Sequence, residues 1–216
     1  MSAEKRSAFT AAHANAPCIV IDAGHGGSDG GAVSLNGINE SAVNLSVALK
    51  SEQLLALFGK HAMMTRSSET IDYPPTADTI RGKKVYDQKR RLEMINSSQD
   101  NIFLSIHQNY SDARYARGPQ VLYGALPGSR ELAEDLQASL DRALFPGNKR
   151  GVSAASGDLF LFKNAKVTAV LVECGFLSNP EDERNLTDDG YQIKIAASLL
   201  EGICRFFGRE TGAGKY

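Results

Sequence analysis

Short apolar runs and helix-period segments take turns along this chain, and that alternation narrows the fold more than any other feature. Cys18 to Ile21 form an apolar run ending in Asp22, which predicts a buried strand. A glycine-rich loop follows, and then Ile38, Ala42, Leu45 and Leu49 recur at helical spacing until the pattern fades near Gly59. "HAMMTR" (His61–Arg66) reads as a second strand, "NIFLSIH" as a third and "PQVLY" as a fourth. Between the second and third, residues 67–83 are polar with a double proline and read as a long loop, and a helix through Val85, Leu92 and Ile95 follows.

The second half repeats the alternation. Leu132, Leu136, Leu140 and Leu144 mark an amphipathic helix that stops at "FPGN". "LFLF" (Leu159–Phe162) reads as a short strand, and "TAVLVE" (Thr168–Glu173), rich in β-branched residues, as the clearest late one. "SNPED" opens a short helix, with Asn179 as N-cap and Pro180 at its first position. A closing helix is expected to run through Ile193, Ala197, Leu200, Cys204 and Phe207, its apolar positions. The pattern predicts a single α/β domain with a largely parallel, mixed central sheet of about six strands and helices on both faces. Residues 1–16 are expected to be a flexible leader, 17–208 the domain and 209–216 a tail.

Composition mostly excludes. A net charge of −1 over 216 residues, with no basic stripe and no recognisable motif, argues against nucleic acid as a partner. No apolar run is long enough to span a bilayer. The first residues, "MSAEKRSAFTAAHANAPC", lack the apolar core of a signal peptide, so the protein is cytosolic or its targeting segment lies outside this sequence. Cys18, Cys174 and Cys204 form no CxxC pair and are expected to be small buried hydrophobes.

In open α/β sheets, ligands gather outside the carboxyl ends of the strands. Asp22 ends the first strand with His25 just beyond it, His107 ends the third, and Glu173 ends "TAVLVE". His61 starts its strand at the opposite edge, and His13 lies in the leader. Two histidines and a carboxylate are a common zinc set, and Glu40, which opens the first helix, is the natural third ligand. Glu173 would then be the second carboxylate, placed to move a proton. Spacing alone leaves other readings open. The glycine loop fits phosphate poorly, because GxGxxG and GxxxxGK[ST] are absent and Asp22 and Asp29 would repel an anion. Ser178 lacks the GxSxG elbow of a serine hydrolase and fits the turn before the next helix better.

At these residues the chain resembles the zinc-dependent N-acetylmuramoyl-L-alanine amidases of bacterial cell walls. The matching blocks are "DAGHGGSDGGA", "NGINE", "MTR", "SIHQN" and "VLVECGFLSNPED", in order from about Cys18 to Phe207. The resemblance implies that His25, Glu40 and His107 bind Zn2+ and that Glu173 is the catalytic glutamate. It implies hydrolysis of the amide between the lactyl group of muramic acid and L-alanine, with peptidoglycan as substrate and an extracytoplasmic location. Ala23 and Thr168 stand where the family often has proline, and loop 67–83 is longer than the simplest members need.

The chain's end and "LFLFKNAKV" look similar to the branch acting on spore cortex, which would add an activator protein as partner and muramic-lactam formation downstream. An inactive wall-binding domain, or a zinc peptidase or deacetylase, remain alternatives. Arg66 and Arg90 are candidates for a substrate carboxylate, with structural ion pairing as the competing reading. Asn109 is a candidate for orienting His107 or lining the groove, or is a plain turn residue. Asn44 is expected to face solvent or a helix neighbour, and Tyr73, Pro74 and Pro75 to wall the cleft or stiffen the loop.

Overall fold

The computed structural model describes residues 17–210. The leader assigned to residues 1–16, His13 with it, and residues 211–216 lie outside the described residues. Six strands form one sheet: β1 (Ile19–Ala23), β2 (Ala62–Met64), β3 (Ile102–Asn109), β4 (Gln120–Tyr123), β5 (Ser153–Ala154) and β6 (Thr168–Phe176). Their order is β2-β1-β3-β6-β4-β5. The first four strands in that order are parallel, whereas β4 runs antiparallel to β6 and carries β5 parallel to itself. The helices are α1 (Glu40–Leu57), α2 (Ile80–Ile95), α3 (Ser129–Leu144), α4 (Phe160–Asn164), α5 (Pro180–Leu186) and α6 (Asp189–Glu210). No helix among the described residues is long and apolar enough to cross a membrane.

Strand alternation sends neighbouring side chains to opposite faces. One face carries Ile21, Leu104 and Val170, then Ala23, Ile106 and Val172, and packs into a large core with α1, α3 and α6. The opposite face begins apolar, with Val20, Phe103 and Ala169 in register beside Ile95 of α2. Two residues further along, the row is Asp22, Ser105 and Leu171, and two further it is His107 and Glu173. Polarity therefore rises from Asp22 onward on this face, whereas the other stays apolar as far as Gln108, which is buried and donates to Asn44 of α1.

Four expectations change. Leu159–Phe162 is not a strand; Phe160 opens the short helix α4. The run lies over the sheet face, with Phe162 against Phe103 at 5.2 Å between ring centroids. No strand edge is available there, so the backbone satisfies itself through Lys163 N to Leu159 O (2.9 Å) and Ala165 N to Leu161 O (2.8 Å). Loop 67–83 is shorter than its composition implied, because Thr79 caps α2 by accepting from Gly82 N.

The closing helix buries Ile195, Leu199, Ile203 and Phe206 together with Leu200 of the expected stripe, while Ile193, Ala197 and Cys204 are exposed and Phe207 is half-buried. Two apolar stripes compete on α6, and the winner flanks Gly202. A Cβ at Gly202 would stand 2.8 Å from Leu136 Cα, so the glycine admits the backbone of α3. Of the cysteines, Cys174 alone is fully buried; Cys18 is half-buried.

Candidate metal centre and active site

The loop leaving β1 turns at once, with His25 at φ 60°. This turn brings the imidazole back over the carboxyl end of the sheet, beside His107 from β3, with ring centroids 4.9 Å apart. The glycines on either side of it make room for other functional side chains. A Cβ at Gly24 would lie 2.2 Å from His107 Nε2, and one at Gly31 would lie 2.6 Å from Glu40 Oε2.

Glu40 is the first residue of α1 and is buried between the two rings. Its Oε1 lies 2.9 Å from His107 Nδ1 and its Oε2 3.3 Å from His25 Nε2. The same carboxylate accepts from Ala32 N (3.0 Å), Gln108 N (3.1 Å) and Asn44 Nδ2 (3.2 Å). Burial pushes its carboxyl up, but hydrogen bonds and charge from His107 and His25 outweigh this and hold it far below the usual carboxylate range. Burial lowers His25, and Glu40 and Asp29 more than reverse that. One donor atom from each of His25, Glu40 and His107 lies within 4.8 Å of the others, spacing that suits a single metal ion.

Glu173 stands in register beside His107 on the neighbouring strand. Its Oε2 is buried without a hydrogen-bond partner. Burial pushes this carboxyl up to about 7; Glu40 adds to the rise, and His107 and His25 oppose it. Beside the site, the open stretch of sheet between α2 and α4 forms a cavity of about 200 Å³. Phe160 and Phe162 wall one side, Lys84 and Gln88 the other, and Tyr73 also lines it.

The remaining candidates fall elsewhere. Arg66 is buried and donates to the backbone: Nε to Ala23 O (2.9 Å), Nη2 to Gly24 O (3.0 Å) and Ser41 O (2.8 Å). Arg90 donates to Thr65 O and lines a separate polar pocket with Ser67, Ser68 and Tyr86. Asn109 Oδ1 accepts from Tyr110 N, as in a local turn. Asn44 has no solvent exposure; it faces its helix neighbour Glu40 and also donates to Gly24 O. Ser178 Oγ accepts from Ser111 N, next to Asn179, which caps α5. His61 is exposed at the opposite sheet edge, where topology put it.

Sequence reasoning passed over Arg91 and Gln108 and gave Asp29 no part in the site. Asp29 Oδ1 is 3.1 Å from His25 Nδ1, and Arg91 is ion-paired to Asp22 beneath the loop. The one local signal for Arg91 was Asp87, four residues earlier on the same helix.

A family model described as N-acetylmuramoyl-L-alanine amidase matches residues 19–205. The germination-specific N-acetylmuramoyl-L-alanine amidase of Bacillus subtilis (strain 168) is 34% identical over 190 residues, which is 88% of this chain and 79% of that protein. Among solved structures, the CwlD amidase from Clostridioides difficile, in complex with the GerS lipoprotein, superposes with a TM-score of 0.85 at 35% identity, covering 89% of this chain and 99% of that one. AmiC2 of Nostoc punctiforme, also an N-acetylmuramoyl-L-alanine amidase, gives a TM-score of 0.75 at 26% identity over 89% and 98%. With the fold, the ordered motifs and these relatives in agreement, the chain belongs to the N-acetylmuramoyl-L-alanine amidase family of enzymes.

Proposed function

We propose that this amidase holds zinc through His25, Glu40 and His107 and uses Glu173 as catalytic base and acid. The bond cleaved joins the lactyl group of N-acetylmuramic acid to the L-alanine of the peptidoglycan stem peptide. The observation that carries this reading is Glu173 Oε2, a partnerless buried oxygen beside a cluster of two imidazoles and a carboxylate. That donor set is one zinc favours at catalytic sites, where a coordination position stays open. When bound, zinc supplies Lewis acidity toward the amide carbonyl and toward water.

The chain's own residues account for the remaining steps. Glu40 stays ionised and so is a ready anionic ligand. Glu173 takes a proton from the attacking water as the new C–O bond forms. It then delivers that proton to the alanine nitrogen as the C–N bond breaks, leaving a lactyl carboxyl group and a free amine. Burial raises the Glu173 carboxyl, which favours its holding the proton between the two transfers. Arg66 and Asn109 shape the surrounding backbone in this reading. Arg90, which lines the separate pocket and donates to Thr65 O, holds the backbone in the same way.

The germination-specific amidase among its relatives supports peptidoglycan of the spore cortex as the substrate. The complex of CwlD with a lipoprotein supports an activator protein as partner. Peptidoglycan lies outside the cytoplasmic membrane, so the site of action is extracytoplasmic.

Digestion of intact peptidoglycan, with and without an activator, tests the reading through the masses of the products. The parent chain should release stem peptides with free N-terminal alanine only when zinc is supplied. Glu173→Ala should keep fold and zinc yet lose about 10²–10⁴-fold in rate; release at the parent rate would refute the mechanism. His25→Ala and His107→Ala should lose zinc, and retention in both would refute the ligand set. Peptides still linked to muramic acid through alanine would indicate a peptidase, and acetate release a deacetylase.

A further inference from the structure

His25 is the one non-glycine residue with a positive φ among those described. An L-residue in that region crowds its own Cβ against the following carbonyl, and it stays there only where its surroundings hold it. The conformation has a use here, because it aims Nε2 at Glu40. Two separate sets of contacts hold it. Asp29 steadies the ring, and Asp29 Oδ1 is itself fixed by Gly31 N at 3.1 Å. The backbone is held from below by an arginine.

Arg91 is buried, and its guanidinium divides its donors among four acceptors. Nη2 donates to His25 O at 2.6 Å, and Nη1 to Ala23 O at 2.8 Å and Asp22 Oδ1 at 2.6 Å. Nε donates to Asp87 Oδ2 at 2.8 Å, which fixes the fork on α2. Arg66 closes the other side through Ala23 O and Gly24 O. The carbonyls of residues 23, 24 and 25 thus all end on guanidinium groups. A buried carbonyl left unpaired is costly, so this pairing favours the turn over any rearrangement that would remove His25 O from Arg91.

We propose that Arg91 is a positioning residue, which sets the left-handed turn at His25 by fixing its carbonyl and so aims the imidazole at the metal. The proposal rests on the zinc reading above. Its rival is that Arg91 only neutralises the buried Asp22. The two diverge for lysine, which can keep the charge beside Asp22 but lacks the planar fork that spans Asp22 and both carbonyls at once.

Zinc dissociation constants, measured by chelator competition on chains shown to be folded by circular dichroism, decide between them. Arg91→Lys should fold and bind zinc about 10–100-fold more weakly, the range for losing an outer partner of a ligating histidine. The cobalt-substituted variant should show a shifted visible absorption band. Asp87→Asn, which removes a charge but keeps an oxygen that can accept from Arg91 Nε and so holds the fork, should bind zinc as the parent does.

If Arg91→Lys is less heat-stable yet matches the parent in zinc affinity and cobalt spectrum, the positioning role is overturned. Should Arg91→Lys fail to fold, the double variant Asp22→Asn/Arg91→Gln removes the charge pair as a unit, and the same two outcomes apply. A parent chain that binds no zinc would overturn the metal reading, and this assignment with it. That failure shows in the parent titration before any variant is compared.

Discussion

The two faces of the sheet are built from the same strands, yet one turns polar at Asp22 while the other stays apolar as far as Gln108. Under α1, α3 and α6, the rows Ile21–Leu104–Val170 and Ala23–Ile106–Val172 are buried hydrocarbon throughout. Under α2 and α4, the apolar row Val20–Phe103–Ala169 gives way to Asp22, Ser105, His107 and Glu173. Two kinds of burial result. The first face gains stability from area removed from water and is indifferent to direction. The second buries charge, which is tolerable only when every charge is paired or put to chemical use. Asp22 and Arg91 are of the paired kind, and the proposed catalytic role would make Glu173 the other.

The largest expected effect tests whether stability resides on the first face. Leu136 is fully buried against α6, so Leu136→Ala should cost about 2–5 kcal/mol of unfolding free energy. Zinc affinity of the folded variant should match the parent, since Leu136 packs against Gly202 of α6, apart from Glu40 of α1 and the Asn44 and Gln108 groups that donate to it. Chemical denaturation paired with a metal titration checks both halves, and weakened zinc binding would show that the faces are coupled.

Gly24→Ala reverses the pattern. Its new Cβ would overlap the His107 ring, whose nearest atom is 2.2 Å away. Relief requires the ring to swing, which takes Nδ1 off Glu40. The overpacking should cost about 1–3 kcal/mol, less than Leu136→Ala, while zinc binding falls sharply. Unchanged zinc affinity would mean that the ring has another place from which to bind.

The faces also differ in how much of them the sequence discloses. Leu132, Leu136 and Leu140 announce a helix on the apolar face because burial there obeys helical period alone. The error on α6 arose within the same rule, since two stripes of equal period differ only in which one flanks Gly202. At the polar face, topology brings His25, His107 and Glu173 to one edge, because strand ends are readable from sequence. Glu40 is readable because it opens a helix.

Arg91 is different, because its partners Asp22 and His25 lie 69 and 66 residues away. No period connects such residues; only the packing of α2 across β1 does. "LFLF" failed for a related reason: a four-residue apolar run states its burial but not its backbone pairing.

The smallest effect expected is a pH dependence confined to the polar face. Asp22 is buried, which by itself would raise its carboxyl. The charge of Arg91, the hydrogen bond from Thr65 Oγ1 at 2.7 Å and the nearby His107 reverse this and hold it below its usual 3.8. A carboxyl depressed in the folded state binds protons more weakly there than in the unfolded chain. Its stabilising contribution is therefore complete above about pH 3.8 and is lost as pH falls through the lower, folded value. Asp22→Asn removes that proton linkage and leaves Arg91 short of a counter-charge. The stability gap between parent and variant should be constant from neutral pH down to about 4, then shrink as acid protonates Asp22 in the parent. Leu136→Ala, which removes no titratable group, should show a gap that does not narrow over the same range. Denaturation curves at a series of pH values compare the two directly. A gap for Asp22→Asn that is flat to the lowest pH would mean Asp22 contributes through packing and neutral hydrogen bonds, and the contrast between the faces would reduce to one of shape.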